Sequence, residues 1–292
     1  MTGSCTVVVP CFDEEARLDP TVLDALAVAA HATVLGVDDG STDGTAAILE
    51  KLAARHPDRH RALLLGTNRG KGEAVRAGLL DAVAGGAEVV AYCDADFATP
   101  PGEVGRLVEV VRSAGADVAL GSRVALLGSH IERSLVRHYT GRVFATAGSL
   151  LLGVPVYDTQ CGAKAFRVTD RLRRALADPF VSRWAFDVEL IGRLLGPDLD
   201  TAGFVEVPLR AWRESDGSKM TARAALRAGA DLVRIGRRLR AGRRAAPAGL
   251  AARLAPPAPL SAPPRLPAGT DAQAASSGST KSATGPHGLS ST

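Results

Sequence analysis

"LGVDDGSTDG", residues 35–44, is the stretch on which the reading of the fold turns. An apolar run, Thr33–Val37, stops on Asp38, Asp39 and then Asp43, with Gly40 and Gly44 among them. A turn needs one Asp or Asn to bend the chain, so three acids in six residues ask for another reason. The arrangement recurs in "AYCDADFATP", residues 91–100, where the run ending at Cys93 meets Asp94 and Asp96.

Working outward, apolar runs at Thr6–Val9, Thr33–Val37, Ala62–Leu65, Val89–Cys93 and Val118–Leu120 read as strands. Helical periods at Thr21–Ala30, Thr45–Arg55, Glu73–Ala84 and Glu103–Ser113 separate them. This alternation with short loops predicts an α/β fold, a mostly parallel sheet flanked by helices. Asp43 or Ser41 is placed to cap the second helix, and Pro100–Pro101 to open the fourth. Ligands of such sheets bind beyond the carboxyl ends of the strands. Both acidic clusters fall on that edge, where they can share one ligand.

Past Ile131 the pattern changes. A helix is expected over Ile131–Leu152, a turn and strand in "DTQCGAKAFRV" (158–168), and a helix over Ala185–Leu195. A strand over Phe204–Leu209 and a long helix from Thr221 to about Ala241 follow. One domain, 1–245, is expected, with a first half to about 122 and a second half from 123. Residues 246–292 are rich in Pro, Ala, Ser and Gly, which predicts a disordered tail.

The chain has 292 residues, is 46% hydrophobic and carries a formal charge of +4, enough for one sizeable core. Cys5, Cys11, Cys93 and Cys161 form no CxxC, and no His stands at zinc-ligand spacing. Free thiols in a reducing cytoplasm are expected. The longest nearly apolar stretch, Val143–Val156, has 14 residues, short of the roughly 20 that a membrane span needs. Aromatics make up only 4%, which argues against a stacking platform for nucleic acid.

Each motif has a plain structural reading beside its chemical one. Asp94-x-Asp96 alone is a common solvated turn, but at the end of a buried strand two carboxylates suit one hard cation, Mg²⁺ or Mn²⁺. Asp43 is accounted for as a cap. Asp38 and Asp39 call for a partner with donors, such as a base N–H or ribose hydroxyls. "GTNRGKGEAV" (66–75) departs from a Walker A loop in its spacing, yet Lys71 near a helix start could meet a phosphate. His56, His60 and His287 read as solvated. Arg123, Arg133, Arg137 and Arg142 are either a solvated basic face or an anion clamp. On a helical wheel of 221–240, Arg223, Arg227, Arg234, Arg237 and Arg238 share one arc, opposite Leu232, Ile235 and Leu239. That suits either an anionic membrane surface or packing of the apolar side on the protein itself.

Taken in order, "VVVPCFDEEARL", "VDDGSTDGT", "NRGKGEAVRAG", "DADFATPP", "GSR", "DTQCGAKAF", "FDVEL" and "GSKM" resemble the GT-A fold inverting glycosyltransferases of family 2. Within it they resemble the polyprenol-phosphate (dolichyl-phosphate) glucosyl- and mannosyltransferases, and the resemblance covers about Thr6–Lys219. It implies that Pro10, Phe12, Glu14, Asp38 and Asp39 hold the nucleoside of a UDP- or GDP-hexose, with Lys71 beside the nucleotide. Asp96 would hold the metal, and Asp94 the metal or ribose. Arg123, Arg133 and Arg137 would grip the phosphate of a polyprenyl phosphate, and Asp158 and Gln160 would line the sugar site. Trp212 and Lys219 would belong to a loop closing over the pyrophosphate.

Phe12 and Asp13 stand where the family usually has Tyr and Asn, and Ala98 where mannosyl members often have a metal-binding Gln. No membrane anchor like that of the glucosyl members of higher organisms is expected. The protein would instead lie on the inner face of the cell membrane through the basic helix at about 221–244. Two other readings stand beside this one. A hydroxyl acceptor would need a base, for which Asp187 is the candidate. A non-catalytic nucleotide-sugar-binding module at a membrane is the other.

Overall fold

In a computed structural model, residues 4–132, 135–214 and 222–245 are described. The expected tail, 246–292, lies outside them, as do Arg133, Lys219 and the side chains of Arg137 and Arg223. The first half follows the predicted alternation: β1 (Cys5–Cys11), α1 (Pro20–Ala30), β2 (Thr33–Asp38), α2 (Thr45–Arg55), β3 (His60–Leu64), α3 (Lys71–Ala84), β4 (Val89–Cys93), α4 (Pro101–Ser113) and β5 (Val118–Ser122). The second half holds β6 (His130–Glu132), α5 (Leu135–Leu152), β7 (Ala163–Arg167), α6 (Asp170–Ala177), α7 (Phe186–Leu195), β8 (Phe204–Pro208), β9 (Ala211–Arg213) and α8 (Ala222–Ala245).

Seven strands form one sheet in the order β3-β2-β1-β4-β7-β5-β8. All pairs are parallel except those of β7, which runs antiparallel between β4 and β5. β7 comes from the second half of the chain, so both halves share one sheet. Strands β1, β2, β4 and β5 are buried on both faces, which is why they read as unbroken apolar runs. Two apolar clusters fill the two faces, one around Leu79, Tyr92, Phe166 and Phe186, the other around Leu26, Val104, Leu107 and Ala163. Pro10 is tolerated in β1 because pairing with β4 ends at Val8, so no ladder partner needs its missing N–H. All four cysteines are free and buried, and burial pushes the Cys5 and Cys161 thiols up to about 11.

Several local expectations are corrected. The α2 cap is Gly44 rather than Asp43 or Ser41, although Asp43 Oδ1 still accepts from Thr45 N at 3.0 Å. α5 begins at Leu135, because Ile131 and Glu132 pair with β9 instead of entering the helix. α6 lay unpredicted in "TDRLRRALA" despite its signal. Thr169 caps it through Leu172 N, and Leu172, Ala175 and Leu176 are its buried stripe. His60 is not solvated: its ring is buried, with Nε2 2.7 Å from Asp24 Oδ1. On α8, Leu232, Ile235 and Leu239 are buried in the core, so the apolar arc packs on the protein itself and is not available to insert into lipid. Arg227, Arg234, Arg237 and Arg240 remain exposed, while Arg238 turns toward Asp178 and Glu189. No described helix is long and apolar enough to cross a membrane.

Candidate active site

The carboxyl ends of β1, β2, β4 and β5 deliver Phe12–Glu14, Asp38–Asp39, Asp94–Asp96 and Arg123 to one edge. Because β7 is antiparallel and Ala163 pairs with Cys93, its entering loop, 158–162, arrives at the same edge. Asp13 has φ of 50°, a left-handed conformation that Asn and Asp tolerate through local hydrogen bonds. Its Oδ1 accepts from Thr42 N at 2.8 Å, which ties the β1 loop to the β2 loop. Glu14 faces this edge. Burial pushes its carboxyl above the usual range and neighbouring Asp96 and Asp43 push it further, against the pull of Arg17.

Asp38 and Asp39 have protein partners. Asp38 accepts from Gly40 N and Ser41 N at 3.2 Å, closing its own turn. Asp39 accepts from Arg69 N and Gly70 N, both at 2.7 Å, and so latches the loop ahead of α3. Backbone donors thus meet part of the demand that the sequence left for a ligand, and both acids are buried. Gly70, at φ 97° with Arg183 packed over it, fits no side chain there. The loop in turn places Lys71 Nζ 2.7 Å from Asp94 Oδ1. Burial alone would lower the Lys71 pKa, but Asp94 and, less strongly, Asp187 and Asp96 raise it. Asp96 Oδ1 accepts from Ala98 N at 3.1 Å.

Arg123 forms a two-pronged pair with Asp158: Nε to Oδ2 at 2.7 Å and Nη2 to Oδ1 at 2.8 Å. The geometry directs these donors at Asp158 rather than at an incoming anion, with the Trp212 ring 5.4 Å from the guanidinium carbon. Trp212 stands in β9, not in a loop, and β9 pairs with β6. Glu206 on β8 holds the Asp158 turn by accepting from Tyr157 N and Asp158 N, each at 2.9 Å. Gln160 Nε2 is buried at this edge without a hydrogen-bond partner. Burial would raise the Asp158 pKa, but the hydrogen bonds and charge of Arg123 hold it down to about 2. A carboxylate depressed in this way stabilises the fold above its unfolded pKa near 4, and the contribution fades as pH falls toward 2. By urea unfolding, wild type is expected to exceed Asp158→Asn by about 2 kcal/mol at pH 6. Most of that margin should vanish between pH 4 and 2, and a margin constant across this window would show that the pair contributes nothing through ionisation.

Sequence reasoning missed Lys164. It sits in β7 between Tyr92 and Leu120 and is fully buried. Its Nζ donates to Asp187 Oδ1 at 2.5 Å and to Cys161 O at 2.7 Å. Tyr92 OH donates to the same Asp187 oxygen. The candidate base is therefore a buried counter-ion at the first turn of α7. A lysine inside "GAKAFRV" was the available signal, since a charge amid strand apolars needs a partner.

Asp94 and Asp96 offer the hard oxygen donors that Mg²⁺ or Mn²⁺ prefers. No group of three or more His, Cys, Asp or Glu suited to a metal occurs among the described residues. Two carboxylates are a number by which such a cation is typically held alongside substrate phosphates.

The fold is that of a GT-A glycosyltransferase. The chain belongs to glycosyl transferase family 2, whose family model matches residues 6–171. A dolichyl-phosphate beta-glucosyltransferase of Trichomonas vaginalis is 32% identical, over 81% of this chain and 72% of its own length. A polyprenol monophosphomannose synthase of Mycolicibacterium smegmatis is 31% identical, over 75% of this chain and 82% of its own. Among solved structures, the glucosyl-3-phosphoglycerate synthase of Mycobacterium tuberculosis with Mn²⁺, UDP-glucose and phosphoglyceric acid superposes with a TM-score of 0.57. It is 19% identical, with 80% of each chain covered, a likeness of fold alone.

Proposed function

We propose that the chain transfers a hexose, glucose by preference, from a nucleotide sugar to a polyprenyl phosphate with inversion. The observation that carries this reading is the burial of Asp187 against Lys164 and Tyr92. That burial supports a structural counter-ion over a base beside an acceptor. A phosphate monoester, with its second pKa near 6, is largely ionised at neutral pH and attacks without one. A hydroxyl acceptor would need the base. The relatives that share most of the chain's length, named for dolichyl-phosphate and polyprenol substrates, support the same acceptor.

In this reading Asp94 and Asp96 would hold Mg²⁺ or Mn²⁺, which supplies charge neutralisation to the leaving diphosphate. Phe12, Glu14 and the Asp38–Asp39 turn border the nucleoside. Gln160 offers its unpaired donor to a sugar hydroxyl. Arg133 and Arg137 are assigned to the acceptor phosphate and Lys219 to the pyrophosphate on the family resemblance. Arg123 acts by fixing Asp158 and the sugar-side turn. In the same reading the exposed arginines of α8 meet anionic headgroups electrostatically at the inner face of the cell membrane.

The test is incubation with Mn²⁺, a short-chain polyprenyl phosphate and radiolabelled UDP-glucose or GDP-mannose. The expected product is a β-linked polyprenyl-phosphate hexose. Labelling of 3-phosphoglycerate with none of the lipid would overturn the acceptor assignment. A Cβ on Gly162 would lie 2.2 Å from Asp94 Oδ2, so Gly162→Ala must turn that carboxylate aside. Its kcat is expected to fall about 10²-fold, the scale of a misplacement near 1 Å, with little change in Tm. Wild-type kcat in this variant would remove Asp94 from the chemistry.

A further inference from the structure

We propose that Lys71 is a resident counter-ion: its ammonium holds the place of the divalent cation on Asp94 and transfers to the donor diphosphate when cation and nucleotide arrive. This rests on the nucleotide-sugar reading above and concerns how that site loads.

The two oxygens of Asp94 are not alike. Its Oδ2 lies against Gly162, where even a methyl group would not fit, and its backbone N–H is fixed to Gly162 O at 3.0 Å. Oδ1 is the oxygen on which Lys71 Nζ sits at 2.7 Å. Ammonium and divalent cation therefore contend for the same carboxylate, and two cations cannot share it without strong repulsion.

The backbone of Lys71 is held on both sides. Asp39 grips Gly70 N at 2.7 Å, and Gly72 N donates to Arg183 O at 3.0 Å. The side chain is only half-buried, 35% exposed, beside a 29% exposed Asp94. A fixed Cα with a four-carbon stem allows the charge to move while the loop stays in place. Lys71 also opens α3, a 14-residue helix, so an anion drawn to this loop comes within reach of the displaced ammonium. Before loading, the ammonium offsets the repulsion between Asp94 and Asp96. After loading, the cation takes over that task and the ammonium is free for the diphosphate.

The exchange makes opposite predictions for two ligands of one variant, which a static structural ion pair does not. Mn²⁺ binding to the full-length protein, read by the EPR signal of free Mn²⁺ without nucleotide, is expected to be about five-fold tighter in Lys71→Met, the scale of one partly exposed ion pair. UDP binding with saturating Mn²⁺, read by calorimetry, is expected to weaken at least about ten-fold in the same variant, as for loss of a charge-assisted contact. Lys71→Arg should resemble wild type in both. Mn²⁺ affinity no tighter in a Lys71→Met protein of unchanged Tm overturns the exchange, and so does unchanged UDP affinity. If wild type still transfers sugar in that case, the nucleotide-sugar reading stands alone. A wild type that binds no UDP with Mn²⁺ present removes both.

Discussion

Asp96→Ala is expected to lower sugar transfer by about 10³-fold or more, with circular dichroism and Tm near wild type. The leaving diphosphate would lose the group that anchors its cation, and such charge stabilisation is worth several kcal/mol in the transition state. Asp96 sits in a strand-end turn, where its Oδ1 accepts from the neighbouring Ala98 N–H. Transfer by this variant at the wild-type rate in divalent-free buffer would sink the metal-dependent mechanism.

Removing one partner of the Lys164–Asp187 pair is expected to have the largest effect on stability. Both groups are buried, and breaking such a pair strands a charge at a cost of about 3–5 kcal/mol. Lys164→Met and Asp187→Asn should each lower Tm by roughly 10 °C. The double variant should recover most of the loss, because it strands no charge. Additive losses in the double variant would mean that the pair is not coupled. The same variants bear on the acceptor. In Asp187→Asn, assayed well below its Tm, a modest loss of rate fits a phosphate nucleophile. A loss of about 10²–10⁴-fold would restore the acid as a general base and the hydroxyl as its substrate.

Four of the first five strands, β1, β2, β4 and β5, were legible because each is buried on both faces, and their helices because each carries one stripe, so hydrophobicity alone marks them. The acidic edge was legible for the same reason: acids that end buried runs stand out. What stayed hidden depends on partners far along the chain. Lys164 is satisfied by Asp187 on another element, and no local pattern announces that pairing. Arg123 looked like an open clamp until Asp158 came to it across a loop and a helix. Asp38 and Asp39 seemed to demand a ligand because backbone donors have no sequence signature. Strands β6 and β9 are three residues each, too short for an alternation to show. α8 shows the reverse limit. Its apolar arc was legible on the wheel, but only packing could say whether protein or lipid covers it.

The antiparallel β7 also governs the order in which the molecule can be assembled during synthesis. β4 and β5 emerge from the ribosome early, yet neither can pair with the other, since the place between them belongs to residues 163–167. Until that segment appears, each presents an unpaired strand edge of apolar residues, the kind of surface on which nascent chains aggregate. Closure waits on a contact of long sequence separation, which slows folding. A chain halted between Ser122 and Ala163 should therefore be a client for chaperones and a poor solution protein, whereas one extended past Arg167 has the strand it needs to close the centre of its sheet.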